Sequence, residues 1–229
     1  MKKVPAKSTP QSVVARSAGK PAYHHGDLRV ALVEAAAQLT AEKGATGVSL
    51  REVARRAGVS QAAPYHYFTD KSALIAAVAE EGFRLFDQSQ AQSLINAAQD
   101  PAARLAALGA AYVRFALDRP HYFKVMFRPH VIEHQKYPSL VEVSRRTFER
   151  LVETVRAARV AAGHDDADPL AVATLIWAVP HGLATLYLDG PIAEGTTPRA
   201  LEALAGAATG PLIAALLTEL GEGEPPWGI

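Results

Sequence analysis

The 229-residue chain contains no cysteine, so it has neither a disulfide framework nor a thiolate nucleophile, and a reducing cytoplasm suits it. No alternation of apolar and polar residues marks a strand. The first twenty-two residues, with Lys2, Lys3, Lys7, Arg16 and Lys20 among Pro, Ser, Ala and Gln, lack the long apolar core of a secretory signal. They also lack apolar periodicity, so residues 1–22 are expected to be a disordered basic tail, either a solubilising extension or an arm lying along a DNA groove. There is no glycine-rich phosphate loop, nucleophile elbow or paired-carboxylate signature, which removes the usual enzyme readings. One pattern resembles a metal site: His130, Glu133 and His134 spell H-x-x-E-H. Pro129 and Pro138 bracket it and leave about two turns of helix with no further ligand, so a surface loop accounts for it better than zinc. No catalytic residue, metal or cofactor is expected.

What is present begins with an uneven charge. The net charge of +1 conceals eleven Lys and Arg against five Asp and Glu in residues 1–72, a balance of +6, which leaves the remainder at −5. A basic head on a nearly neutral chain suits a polyanionic partner, with binding that weakens steeply as salt rises.

Within that head, Ser49 is placed as an N-cap, Glu52 three residues on to close a capping box, and Val48 and Val53 to form a hydrophobic staple. Leu50, Val53, Ala54 and Ala57 share one helical face, Arg51, Arg55 and Arg56 lie off it, and Gly58 supplies the left-handed residue that stops the helix. Val59 then fills the corner, and Ser60 is expected to cap a second helix whose first turn is Gln61, Ala62 and Ala63. Two short helices with a tight turn are the grammar of a helix-turn-helix, whose second helix reads DNA. Small alanines permit close approach, and Gln61 suits a base edge or phosphate. Tyr65, His66 and Tyr67 offer polar groups to the sugar-phosphate chain, and Lys71 adds a charge at the next helix start. For each residue the alternative is ordinary packing or solvation; the spacing of the whole set favours DNA.

The pattern GVSxxxxYxYFxxKxxL from Gly58 to Leu74, with the capping box before it, resembles the TetR/AcrR family of bacterial transcriptional regulators over about residues 24–78. The resemblance implies an all-α homodimer with an N-terminal three-helix bundle containing the helix-turn-helix and a C-terminal helical ligand-binding and dimerisation domain. It also gives Gln61, Ala62 and Ala63 the base-facing turn, Tyr65 and Tyr67 packing and phosphate contact, and Lys71 a phosphate contact. Ser49, Arg51, Ser60 and His66 complete the expected DNA-binding set. Pro64 departs from the family's usual apolar helix former; with Ser60 as cap, it removes the first intrahelical hydrogen bond.

The expected domains are 23–72 for the head and 73–229 for the remainder. A helix from about Asp27 to Lys43 completes the head, with Leu28, Leu32, Ala35, Ala36 and Leu39 on its stripe. Another begins near Asp70 and runs through Leu85 as a rod towards the C-terminal part, followed by a polar stretch at Gln88 to Gln92. Asp100-Pro101, Asp168-Pro169 and Thr197-Pro198 mark three more helix starts. Leu140, Val143, Thr147, Leu151, Val155, Ala158 and Ala162 define an amphipathic helix ending at Gly163.

Leu170 to Leu188 contains no Asp, Glu, Lys or Arg, yet Thr174, Pro180, His181, Gly182 and Thr185 dilute it and no basic anchor flanks it, so a membrane span is not expected. Burial on two sides explains it better. The helices near 169–189 and 198–218 are therefore expected to form a four-helix homodimer interface. Trp177, His181 and Gly182 resemble the WHG type of TetR C-terminal domain. Trp177 and His181, with Tyr112, Phe115, Phe123 and Phe127, are candidates to line a cavity for a partly apolar effector, the alternative being a bonded core histidine and a Trp that packs the bundle. Pro180 frees the carbonyl of Ile176 and is expected to kink its helix. The expected partners are double-stranded operator DNA, a small molecule and a second copy of the chain.

Overall fold

The computed structural model describes residues 25–127, 133–163 and 168–219; for 25–27, 134 and 209–219 the backbone alone is described. The tail expected over 1–22, and His130 of the H-x-x-E-H pattern, lie outside the described residues. Glu133 of that pattern pairs with Lys136 at 2.8 Å, and no cluster of metal-ligating side chains occurs among the described residues.

Eight α-helices and no strands are found there: α1 His25–Lys43, α2 Leu50–Arg56, α3 Lys71–Asn96, α4 Pro101–Asp118, α5 Pro120–Met126, α6 Pro138–Ala161, α7 Pro169–Leu188 and α8 Pro198–Glu219. The local signals act as expected. Ser49 Oγ accepts from Glu52 N–H at 3.3 Å, Asp70 from Ala73 N–H at 2.8 Å, and Asp100 from Ala103 N–H at 2.8 Å. Asp168 accepts from Leu170 N–H at 2.9 Å and Thr197 Oγ1 from Ala200 N–H at 3.2 Å. Each such cap contributes about 1 kcal/mol by satisfying an N–H that the helix leaves open. The capping box at Ser49 closes on one side only, because the Glu52 carboxylate pairs with Lys43 of α1.

α1, α2 and the start of α3 bury Leu32, Leu39, Val53 and Leu74 at 0 % exposure, and Val48, Leu50 and Phe68 close the same core. That core does not stop at the head. It continues along α3 through Val78, Phe83 and Phe86 to Tyr112, Phe123, Met126 and Ala184 in the C-terminal part. α3 spans 26 residues, or about 39 Å, so one rod carries the head at one end and walls the C-terminal bundle at the other. The polar stretch at Gln88 to Gln92 lies inside this helix rather than beyond it, because Gln is a good helix former and Gln90 continues the buried stripe of Phe83 and Phe86.

α7 is long and apolar enough to cross a membrane, but Val172, Ala173, Ile176, Pro180 and Ala184 bury one of its faces in the bundle formed with α4, α6 and α8. The helix continues through Pro180. α8 lies against α4, where Glu202 receives Arg114 at 2.7 Å and a Cβ added at Gly206 would meet Ala106 O at 3.3 Å. Leu170, Leu186 and Leu204 remain exposed on the outer faces of α7 and α8, at 49 %, 45 % and 52 %.

Candidate functional site

The reading head takes its shape from two residues, Gly58 and Pro64. Gly58, at φ +70°, turns the chain out of α2, and Val59 N–H bonds back to Ala54 O at 3.0 Å. Pro64 sets the winding of the next segment. An α-helix starting at Ser60 needs residue 64 to donate to the Ser60 carbonyl, and proline has no N–H to give. Ala63 N–H donates instead at 3.0 Å, and the segment Ala63–His66 forms a 3₁₀ turn in place of the expected capped α-helix. The Pro64 carbonyl accepts from Tyr67 N–H at 3.0 Å and Phe68 N–H at 2.9 Å, which hands the chain on to α3.

This geometry sorts the DNA candidates. Ser49, Arg51, Ser60, Gln61, Ala62, Tyr65 and His66 are exposed, Tyr65 at 55 %. Ala63, expected on the base-facing turn, is buried with Pro64 beneath that turn because the tighter 3₁₀ winding rotates it inward. Tyr67 is partly buried against the head core, its ring 6.4 Å from that of Phe68. Lys71, at the first position of α3, donates from Nζ to Thr46 O at 2.8 Å, fastening the rod to the turn after α1. Arg56 is held by Glu42 at 2.7 and 2.5 Å, and hydrogen bonds from Arg56 and Lys43 keep the Glu42 and Glu52 carboxyls below their ordinary range. Arg51 and Arg55 are the α2 arginines left facing solvent, with Arg55 loosely placed 3.7 Å from Glu52.

The C-terminal part encloses a cavity of about 440 Å³ between α3, α4, α6 and α7. Its wall is aromatic and aliphatic: Phe83 and Phe86 from α3, Leu105, Leu108 and Tyr112 from α4, Phe127 after α5, Phe148 and Leu151 from α6, Ile176, Trp177 and Pro180 from α7. Val141 and Arg145 are its exposed lining residues, so it meets solvent beside α6. Of the six residues expected to line it, Tyr112, Phe127 and Trp177 do. Phe115, Phe123 and His181 do not: Phe115 is core against Phe86, and Phe123 and His181 stand behind the wall.

There Tyr112 Oη and His181 Nδ1 share a hydrogen bond of 2.7 Å, with the His181 ring packed among Phe123, Phe127 and Trp177. Burial pushes the Tyr112 phenol far above its ordinary range and lowers the pKa of His181, so the pair is neutral. This is the bonded-histidine alternative for His181, while Trp177 faces the cavity. Sequence reasoning missed Phe83, Phe86, Phe148 and Gln90. A polar Gln90 in register with Phe83 and Phe86 was the available signal.

α5 joins the two sites. Phe127 at its end lines the cavity and Phe123 packs on Tyr112, while Tyr122 O–H donates to Glu34 Oε2 of α1 at 2.7 Å and His121 Nε2 lies 3.5 Å from Glu34 Oε1.

A small helix-turn-helix head on a long helix, whose far half walls an apolar cavity in an all-helical domain, defines a sensor-regulator class of DNA-binding protein. Residues 32–78 match the N-terminal domain of bacterial regulatory proteins of the tetR family, and residues 105–210 match the tetracyclin repressor-like C-terminal domain. The chain is 33 % identical over 94 residues to the uncharacterized HTH-type transcriptional regulator YobS of Bacillus subtilis, covering 41 % of this chain and about half, 48 %, of that relative's length. It resembles the structure of a protein of unknown function from Rhodococcus sp. RHA1, with 31 % identity, a TM-score of 0.71 and coverage of 87 % of this chain and 100 % of that one. The fold is shared with the TetR family regulator PfmR from Thermus thermophilus, at 19 % identity, a TM-score of 0.64 and coverage of 80 % and 97 %. The chain belongs to the TetR family, whose members are DNA-binding transcriptional regulators that act as dimers, respond to small molecules and are generally not enzymes.

Proposed function

We propose that this protein is a cytoplasmic, ligand-responsive repressor that binds a palindromic operator as a homodimer and is released by a small, partly apolar effector. Residues 23–72 form the reading head and 73–229 the effector and dimerisation domain. The observation that carries the reading is α3 itself: it follows directly on the turn that exposes Gln61 and Tyr65, Lys71 at its start fastens it to the turn after α1, and Phe83 and Phe86 further along wall the cavity. An effector that fits one setting of α3 better than another shifts the spacing of two heads, and only that difference in affinity can release DNA.

Gln61, Ala62, Tyr65 and His66 are the residues we place against bases and phosphates, with Ser49, Arg51, Ser60 and Lys71 on the backbone. Tyr112, Phe127 and Trp177 form the effector wall. The dimer is made by the outer faces of α7 and α8, where Leu170, Leu186 and Leu204 are otherwise left in water.

Sedimentation and operator binding of a Leu186→Glu/Leu204→Glu double variant test this arrangement together. A folded monomer that has lost tight operator binding is the expected result. A variant that stays dimeric and binds normally contradicts the assigned interface.

A further inference from the structure

The role of the cavity rests on the regulator reading above, but its chemistry points further, to what it holds. Gln90 of α3 lines it and is only 5 % exposed. Arg150 Nη1 lies 3.4 Å from Gln90 Oε1 and is anchored on Asp87, 2.6 Å from Oδ1 and 3.0 Å from the backbone carbonyl. A guanidinium has only donors, so the amide oxygen is the end that must face it, and the amide nitrogen is the end left over. Among the described residues, that nitrogen has no acceptor. The nitrogen is not fully buried: it reaches the open space of the cavity, where a ligand oxygen would accept from it.

The other polar lining groups are already committed. Thr147 Oγ1 donates to Ser144 O at 2.7 Å, Ser144 Oγ donates to Val141 O at 3.0 Å, and the Tyr112 hydroxyl is engaged with His181 and with the Trp177 indole. Among the described residues no carboxylate lines the cavity and its one charged lining residue, Arg145, is a cation, so an organic cation is disfavoured. Arg145 stands at the solvent edge, 61 % exposed and paired with Glu149 one turn on, so a ligand carboxylate there gains little in water. The volume equals that of about fifteen waters, which admits a molecule of about fifteen non-hydrogen atoms. Phe86, Tyr112, Phe127, Phe148 and Trp177 present aromatic surface around it.

We infer that the cavity takes an uncharged aromatic molecule of about two rings carrying one carbonyl-type oxygen, and that Gln90 Nε2 reads that oxygen. Because Gln90 belongs to α3, the contact falls on the same rod that carries the head, nineteen residues or about 28 Å from Lys71.

Calorimetric titration of the full-length protein with three probes tests this: benzophenone, diphenylmethane, which lacks the oxygen, and 4-benzoylbenzoate, which adds a charge. Benzophenone is expected to bind best, about fivefold tighter than diphenylmethane, with that preference abolished in Gln90→Leu and retained in Arg145→Ala. The differential between two probes guards against a variant that merely loosens the bundle. Equal binding of benzophenone and diphenylmethane, a preference that survives Gln90→Leu, tighter binding of the carboxylate, or no binding at all overturns the inference. Operator binding is read in the same samples. Gln90-dependent binding without DNA release leaves this inference standing and counts against ligand-responsive repression; DNA release by a charged compound that excludes benzophenone does the reverse.

Discussion

Tyr122 O–H donates to Glu34 Oε2 at 2.7 Å, and this bond ties α5, which reaches the cavity wall, to α1 of the reading head. Tyr122 is 3 % exposed, and burial together with Glu34 raises its pKa well above the ordinary value, so it remains a donor throughout the physiological range. Glu34 also accepts from Gln38 at 2.9 Å, which fixes the carboxylate on α1. Tyr122→Phe keeps the ring and removes the bond. It should cost about 1 to 2 kcal/mol in urea unfolding, since the partner is charged but partly reached by water. It should also weaken the effect of any cavity ligand on operator affinity while leaving ligand affinity itself nearly unchanged.

Close approach of α3 and α5 depends on Gly82. A Cβ there would stand 2.8 Å from Met126 Cγ and Sδ, and Met126 is 1 % exposed, so the side chain has little room to retreat. Gly82→Ala gains about 1 kcal/mol of helix propensity and loses about 1 to 3 kcal/mol to overpacking. A net loss of about 1 kcal/mol is expected, measured by denaturant midpoint at unchanged slope.

His181 should give stability a pH dependence of definite sign. Burial lowers its folded pKa below the ordinary value of about 6.5, so between the two values the unfolded chain binds more protons than the folded one. Its contribution is therefore present above about pH 6.5 and is lost as pH falls through the folded value. His181→Gln, which can still bond Tyr112, should flatten the decline between about pH 7 and 5 relative to the parent protein. Parallel declines in urea titrations of the two would contradict the assignment.

Pro64→Leu restores an N–H that can reach the Ser60 carbonyl, and the 3₁₀ turn at 63–66 should lengthen into α-helix. The change would move Gln61 and Tyr65 relative to the groove, so affinity for the natural operator should fall by roughly tenfold, the scale of one mismatched base pair. Amide exchange at position 64 reports the new bond, and fluorescence anisotropy with operator DNA reports the affinity.

Legibility in the sequence depended on range. Ser49, Asp70, Asp100, Asp168 and Thr197 act within three residues of themselves, and all five caps form where local pattern places them. The winding after Pro64 was half legible: the missing donor was evident, but burial of Ala63 depends on how the turn rests on the core. The cavity was least legible. Phe115, Phe123 and His181 share the composition of a pocket wall yet stand one layer behind it, and Phe148 and Gln90 reach the wall from helices far apart in the chain. Which aromatic faces empty space is set by the packing of four helices, and periodicity on any one of them does not contain it.

Anisotropy titration of the protein's own upstream DNA against scrambled DNA of equal length, at two salt concentrations, most directly tests DNA reading by the exposed turn. A Gln61→Ala/Tyr65→Ala double variant serves as the comparison. The expected result is tight, sequence-selective binding that falls with salt by about 0.9 in log–log slope per phosphate contacted, and a variant that loses the selectivity. Binding equal for both DNAs and unchanged in the variant would contradict it.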